Sequence, residues 1–274
     1  MSKVAITYIC TGKYKRFFPA FYGSFRENFC PNDERTFVII TDDVEWVKAQ
    51  SQGDILAYDT QRRFKKDEYN ADYCKFRKWK DILLAEDFLE TQDYAFYFNG
   101  NTVCLKPTTV DDMLHGKDEV VKTEWYSDDY FGKEPSASAF NYQEARAHYG
   151  YSYYQGCLYG GTAQRFLQCA RFIESCRNYD AVFGYDRGDI VPFHDETYYN
   201  KYAASRKVAD KECFHILSWT HDPNCKDTDT VIQLVPFGKD NTGDWSCYAS
   251  RFVIYDKRCC WGLPENVMQW RSCK

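Results

Sequence analysis

The first forty residues alternate between short apolar runs and one amphipathic segment, and this order restricts the fold more than any other feature of the chain. Val4–Cys10 is an apolar run that ends at a Thr-Gly pair, and Thr36–Thr41 is a second such run. Between them phenylalanine recurs at every fourth position, which is typical of one face of a helix. These are Phe17, Phe21, Phe25 and Phe29. Two apolar strands joined through a helix predict an α/β fold with a mixed, mainly parallel sheet flanked by helices.

The middle of the chain continues this alternation. We predict a long helix over residues 72–90, followed by a buried strand, Tyr94–Phe98, that ends on Asn99. A further helix is expected directly after Thr162, whose hydroxyl is placed to cap it. Another helical stretch is expected to begin at His194–Glu196. In the last third of the chain the periodicity fades.

Composition restricts the class of protein. The 274 residues, of which 44% are hydrophobic, fit a single domain, and we assign residues 1–240 to it and residues 241–274 to a cysteine-rich extension. The net charge of -5, without a long run of Lys or Arg, excludes a nucleic-acid partner. Neither a signal peptide nor a membrane span can be read from the sequence, so we expect a cytoplasmic protein.

The 13 cysteines are an odd number and include no Cys-x-x-Cys pair, which argues against a redox dithiol or a zinc ribbon. Cys213, His215 and Cys225 are close enough in sequence to form a metal site or a disulfide. Free thiols are the interpretation that a cytoplasmic location favours.

Polar residues follow the predicted strands at the edge where open α/β sheets bind ligands. They include Thr11–Tyr14, Thr41–Asp43 and Asn99–Asn101, and none completes a dinucleotide or P-loop fingerprint. Taken alone, Asn-Gly favours an ordinary turn, and acidic residues at His194–Glu196 favour a helix cap. Tyr153–Cys157 is equally compatible with a strand that carries a glycine bulge.

Taken together and in order, these segments resemble the family 6 glycosyltransferases, which include α-1,3-galactosyltransferases, the blood-group A and B transferases and soluble bacterial members. The resemblance covers residues 4–240. Asn99-Gly100-Asn101 stands where the vertebrate members have Asp-x-Asp and the bacterial members have Asn-x-Asn. The other matching segments are Tyr8–Tyr14, Tyr153–Gly161, and His194–Thr197 with Asn200–Tyr202.

The resemblance implies a GT-A fold and transfer of galactose or N-acetylgalactosamine from a UDP donor to a glycan acceptor, with an α-1,3 linkage and retention of the anomeric configuration. It places Glu196 beside the anomeric carbon, as nucleophile or as electrostatic support. It implies a donor nucleotide site at Ile9, Cys10, Thr11, Tyr14, Asn99 and Asn101. It implies a sugar-selecting group at Gln155, Gly156, Cys157, His194 and Asp195, with Phe193 in place of the tryptophan of vertebrate members. Trp125, Tyr126 and Tyr130 are expected near the acceptor.

Two asparagine amides supply dipoles but no charge, and Mg²⁺ and Mn²⁺ prefer charged oxygen ligands. We therefore expect a metal-independent enzyme without a cofactor. Cationic side chains would then have to stabilise the departing UDP. Lys75, Arg77 and Lys239 are candidates, although surface charge explains each of them equally well. Arg251, Lys257 and Arg258 are candidates for the basic C-terminal tail of the family.

The sequence leaves open which sugar the donor carries and whether the protein is an enzyme or a binding protein. The bulk of Cys157 favours galactose over N-acetylgalactosamine as the donor sugar. A catalytically inactive protein that binds nucleotide sugars or glycans would also lack the acidic metal site, but the retained Glu196, in its His-Asp-Glu-Thr context, favours an enzyme.

Overall fold

The computed structural model describes residues 1–61, 78–100, 102–104, 107–123, 154–187, 195–218 and 232–234. The strands of the main sheet are β1 (Lys3–Cys10), β2 (Glu34–Thr41), β3 (Ile55–Asp59), β4 (Tyr94–Phe98), β6 (Glu119–Thr123), β7 (Tyr154–Thr162) and β8 (Phe214–Ser218), with β5 (Thr102–Cys104) and β9 (Ile232–Leu234) forming a separate pair. The helices are α1 (Phe18–Asn28), α2 (Val44–Ala49), α3 (Glu86–Leu89), α4 (Val110–Leu114), α5 (Ala163–Arg187) and α6 (Asp195–Ala209).

The main sheet has the strand order β3-β2-β1-β4-β7-β6-β8. Four of its six strand pairings are parallel, and the two that involve β7 are antiparallel. The predicted mixed, mainly parallel sheet is therefore confirmed. In the part of the chain that the structure describes, no helix has the length and apolar character needed to cross a membrane.

Helices cover both faces of this sheet, which explains why the central strands are apolar on both sides. Alternate residues of β1 divide between the two faces, with Val4 and Ile6 packing on the α1 side and Ala5 and Ile9 on the other. Phe21, Phe25 and Phe29 of the phenylalanine repeat pack on the first face, as predicted. Phe17 is buried at the end of a 3-10 helix, Gly12–Phe17, that precedes α1. Residues of α5 and α6 cover the second face.

The predicted helix over residues 72–90 is corrected in its second half. Residues 78–82 are helical, but a 3-10 turn, Leu83–Ala85, separates them from α3. Trp79 and Ile82 of the helical segment and Ala85 of the 3-10 turn are buried in the same core.

Two other expectations from the sequence, the cap at Thr162 and the start of the helix near His194–Glu196, are confirmed. Oγ1 of Thr162 accepts a hydrogen bond from the amide of Arg165 at 3.3 Å and so caps α5. Helix α6 begins at Asp195, within the acidic segment that was expected to start it. Seven cysteines in the described ranges, Cys213 among them, are free thiols. Cys225 and the whole of residues 241–274 lie outside these ranges.

Candidate active site

The carboxyl ends of β1, β2 and β4 meet at one edge of the sheet, because these three strands run parallel. Two of the predicted donor-site segments come into contact there. The hydroxyl of Tyr8 donates to the main-chain oxygen of Gly100 at 3.2 Å and lies 3.3 Å from that of Tyr14. A methyl group at Gly100 would lie 2.8 Å from Cδ1 of Tyr14, so the glycine is required for this close approach.

The four predicted donor residues after β1 differ in what they offer a ligand. The side chains of Ile9, Cys10 and Thr11 are buried, and those of Ile9 and Cys10 pack on opposite faces of the sheet. These residues therefore present mainly their backbone at the edge. Tyr14 is half-buried and presents its ring.

Asn99 begins a tight turn, in agreement with the turn signal of Asn-Gly. Its main-chain oxygen accepts from the amide of Thr102 at 3.0 Å, and its amide donates to the oxygen of Cys157 at 2.9 Å. The side-chain oxygen of Asn99 accepts from the hydroxyl of Tyr97 at 3.0 Å. The turn is thus anchored to β7, and its side chain is oriented by the preceding strand. Asn101 lies outside the described residues.

Strand β7 carries the expected irregularity at Gly156. Its pairing with β6 jumps from Gln155 to Tyr159, so that residues 156–158 have no counterpart in β6. The amide of Gly156 donates to Oε1 of Glu196 at 3.0 Å. A hydrogen bond from a main-chain amide to a carboxylate is stronger than one between neutral groups, and it orients the carboxylate. The bulge therefore connects β7 to the first turn of α6.

Lys78 is a residue of this site that the sequence interpretation missed. Its side chain is 4% exposed, and Nζ donates to the main-chain oxygen of Gly156 at 2.5 Å. Nζ also lies 4.6 Å from the ring centroid of Tyr97, whose hydroxyl holds Asn99. A positive charge is therefore buried between the bulge and the Asn99 turn. A signal was present in the sequence, since Lys78 directly precedes the apolar Trp79 on the predicted helix, but a lysine there is more often solvated.

A buried ion pair holds α6 farther along its length. Oε2 of Glu119 accepts from Nε of Arg206 at 2.8 Å, and Oε1 accepts from the hydroxyls of Tyr159 and Tyr202 at 2.8 and 2.6 Å. Glu119 is fully buried, so its charge is met inside the core. Burial, reinforced by this carboxylate, raises the pKa of both tyrosine hydroxyls above their ordinary value, and they remain neutral donors. The network ties β6, β7 and α6 together.

The predicted sugar-selecting residues are described only in part. Gln155 and Gly156 lie in β7, and Asp195 is the first residue of α6. Cys157 is 5% exposed and packs in the α1-side core with Tyr8 and Phe98, so its influence on the donor sugar stays a prediction. Several other predicted residues lie outside the described ranges. They are Lys75, Arg77, Phe193, His194 and Lys239, together with Trp125, Tyr126, Tyr130, Arg251, Lys257 and Arg258.

The expectation of a metal-independent enzyme stays a prediction, and Asn99 is the described residue on which it rests. Asn99 provides a neutral amide oxygen that already accepts a hydrogen bond, whereas Mg²⁺ and Mn²⁺ favour carboxylates. Across the described ranges, His, Cys, Asp and Glu side chains form no group of three or more that could hold a metal ion.

Comparison with known proteins supports a glycosyltransferase. No protein-family model matches the chain. It is similar to the O-antigen biosynthesis glycosyltransferase WbnI of Escherichia coli, with 28% identity over 213 residues, which is 73% of this chain and 81% of the relative. This similarity and the seven-stranded, mainly parallel sheet together confirm the predicted GT-A type α/β fold.

Proposed function

We propose that the chain is a retaining glycosyltransferase that moves galactose or N-acetylgalactosamine from a UDP donor to a hydroxyl of a glycan acceptor, forming an α-1,3 linkage without a metal ion. The observation that carries this proposal is the hydrogen bond from the Gly156 amide to Glu196. The Gly156 oxygen also binds Lys78, and the Asn99 turn, which Tyr14 approaches at Gly100, is bonded to the next residue of β7. The relative's role in O-antigen biosynthesis leads us to propose a bacterial surface oligosaccharide as the acceptor.

Glu196 supplies the negative charge that the reaction needs. Departure of UDP leaves positive charge on the anomeric carbon in an oxocarbenium-like transition state. A carboxylate held in place stabilises that charge without reorganising, or attacks the carbon as a nucleophile. Since Oε1 is held by the Gly156 amide, the carboxylate is already oriented before the donor binds.

The negative charge that develops on the departing UDP needs a positive counterpart. In the described part of the chain, Lys78 places a buried ammonium group against Gly156 and close to the Asn99 turn. The interaction of such a charge with a diphosphate is less screened by solvent than that of a surface lysine. We propose that Lys78 supplies part of the positive potential that metal-dependent enzymes obtain from their ion.

The test is release of UDP from UDP-galactose and from UDP-N-acetylgalactosamine, each with and without EDTA and with and without an oligosaccharide acceptor. We expect release with at least one donor, faster release with acceptor, and no change with EDTA. The anomeric configuration of the product, read by NMR, tests retention. Activity that disappears in EDTA and returns with Mn²⁺ would disprove metal independence. Binding of UDP without any turnover would instead identify a nucleotide-sugar binding protein.

A further inference from the structure

Asn200 is fully buried and lies one turn after Glu196 on α6. Nδ2 donates to the main-chain oxygens of Tyr154 at 2.8 Å and of Glu196 at 2.7 Å, and Oδ1 accepts from the amide of Tyr154 at 2.9 Å. Both hydrogens of the carboxamide and its oxygen are therefore engaged with main-chain groups. The side chain joins the first turn of α6 to the first residue of β7.

The position of Tyr154 in the sheet explains why a carboxamide is needed there. On one side β6 pairs with Tyr154 through Thr123, but on the other side β4 pairs with β7 only from Leu158 onward. An asparagine side chain offers the same donor and acceptor as a peptide group. Asn200 thus makes the hydrogen bonds that a neighbouring strand would make with Tyr154, because β4 does not extend that far.

We infer that Asn200 is a positioning residue, which keeps the Glu196 carboxylate on the Gly156 amide by attaching α6 to β7. The inference rests on the proposed role of Glu196. Tyr154 and Gly156 are two residues apart on one strand, and Glu196 and Asn200 are one turn apart on one helix. Two contacts between the same pair of elements restrain each other, so that releasing Asn200 frees the helix turn that carries Glu196. Asn200 acts through Glu196 and is not assigned a contact with substrate.

The substitution Asn200→Asp keeps the shape of the side chain and removes both N–H donors. When ionised, the new carboxylate faces the oxygens of Tyr154 and Glu196, which are both acceptors. When protonated, it regains one O–H donor and can rebuild the bond to Tyr154. Burial and these carbonyls raise the pKa of the new carboxyl group above that of an ordinary aspartate. The loss of hydrogen bonding to the oxygens of Tyr154 and Glu196 therefore increases as the pH rises through that pKa.

Asn28 provides a matched control on the other face of the sheet. It is buried on α1, and its Nδ2 donates to the oxygen of Ser24, four residues earlier, and to that of Cys104 in a strand. Asn28→Asp therefore makes the same chemical change against the same kinds of acceptor, away from Glu196. We expect it to lower thermal stability while leaving kcat unchanged at temperatures where the protein is folded.

The experiment measures kcat and KM between pH 6 and 8, thermal unfolding, and hydrogen exchange of the Gly156 amide by NMR for the wild type and both variants. For Asn200→Asp at pH 8 we expect kcat to fall about tenfold or more and Gly156 exchange to accelerate by a similar factor, the scale of one lost buried hydrogen bond. KM for the donor should change little, and kcat should recover in part at pH 6. Asn28→Asp should show neither the fall in kcat nor the faster exchange of the Gly156 amide.

Unaltered Gly156 exchange in folded Asn200→Asp would overturn the inference, and so would an equal loss of kcat in Asn28→Asp. If Asn200→Asp does not fold at pH 8, Asn200→Ser adds no charge, and its kcat and Gly156 exchange at that pH decide the question. Gly156 exchange needs no turnover. A wild type that transfers no sugar therefore contradicts the proposed function, while the exchange data still decide whether Asn200 holds Glu196.

Discussion

The amide of Gly156 on β7 donates to Oε1 of Glu196 on α6 at 3.0 Å, across 40 positions of the sequence. The main-chain oxygen of the same residue accepts from the buried ammonium of Lys78 at 2.5 Å. The backbone of one glycine in a bulge therefore bonds to both a carboxylate and a lysine. In the function that we propose, the carboxylate acts on the anomeric carbon and the ammonium group acts on the leaving group.

Replacing Glu196 by glutamine should reduce kcat by roughly 100-fold or more, because the transition-state charge loses its partner. The amide oxygen of glutamine can still accept from Gly156, so the local structure and the affinity for UDP should change little. Steady-state UDP release and calorimetric titration with UDP measure the two quantities. Near-normal turnover in this variant would show that the chemistry takes place elsewhere.

Replacing Lys78 by methionine should lower kcat by about 10- to 100-fold, the range expected for losing a charged hydrogen bond. The change removes the positive charge and leaves the Gly156 oxygen without this donor, so we also expect a modest fall in the thermal unfolding midpoint. Lys80→Met is the control, since Lys80 is exposed two residues farther along. Equal kcat for the two variants would remove Lys78 from the mechanism.

Replacing Gly100 by alanine should weaken UDP binding by roughly tenfold, because the added methyl group displaces the ring of Tyr14. Tyr14 is half-buried and can move, so stability should hardly change. Gly160→Ala provides the contrast, since its methyl group would lie 2.0 Å from Cδ1 of the buried Phe96. That variant should lose stability instead. Unchanged UDP affinity in Gly100→Ala would argue against a donor site at this turn.

The free energy of unfolding should fall as the pH rises above about 9. Burial, with the nearby Glu119 charge as a second cause, raises the pKa of Cys213 from 9.0 to about 11. Between these values the unfolded thiol ionises while the folded one stays neutral, which favours unfolding by roughly 2 kcal/mol. Burial and the hydrogen bond to Asp54 similarly raise the pKa of Tyr22 to about 12.

Urea unfolding between pH 8 and 11 measures this loss. Cys213→Ala should be less stable than the wild type at pH 8, because it leaves a small cavity, but its stability should fall less steeply with pH. Parallel curves for the two proteins would show that Cys213 does not contribute.

The sequence by itself determined the elements whose signals are local. The apolar run Val4–Cys10, the four-residue phenylalanine repeat and the Thr162 cap each depend on neighbours within a few positions, and all three are confirmed. The acidic segment His194–Glu196 likewise predicted the beginning of a helix, and α6 begins at Asp195.

The tertiary structure alone decided which of these elements touch. The contacts of Gly156 with Glu196 and with Lys78 join residues 40 and 78 positions apart, and a hydrogen bond of that span leaves no periodic trace in the sequence. The residue type alone does not indicate whether a lysine or an asparagine is buried or solvated. Only the packing of α6 and of the helical segment 78–82 against the sheet removes Lys78 and Asn200 from water, and their burial is what makes their hydrogen bonds necessary.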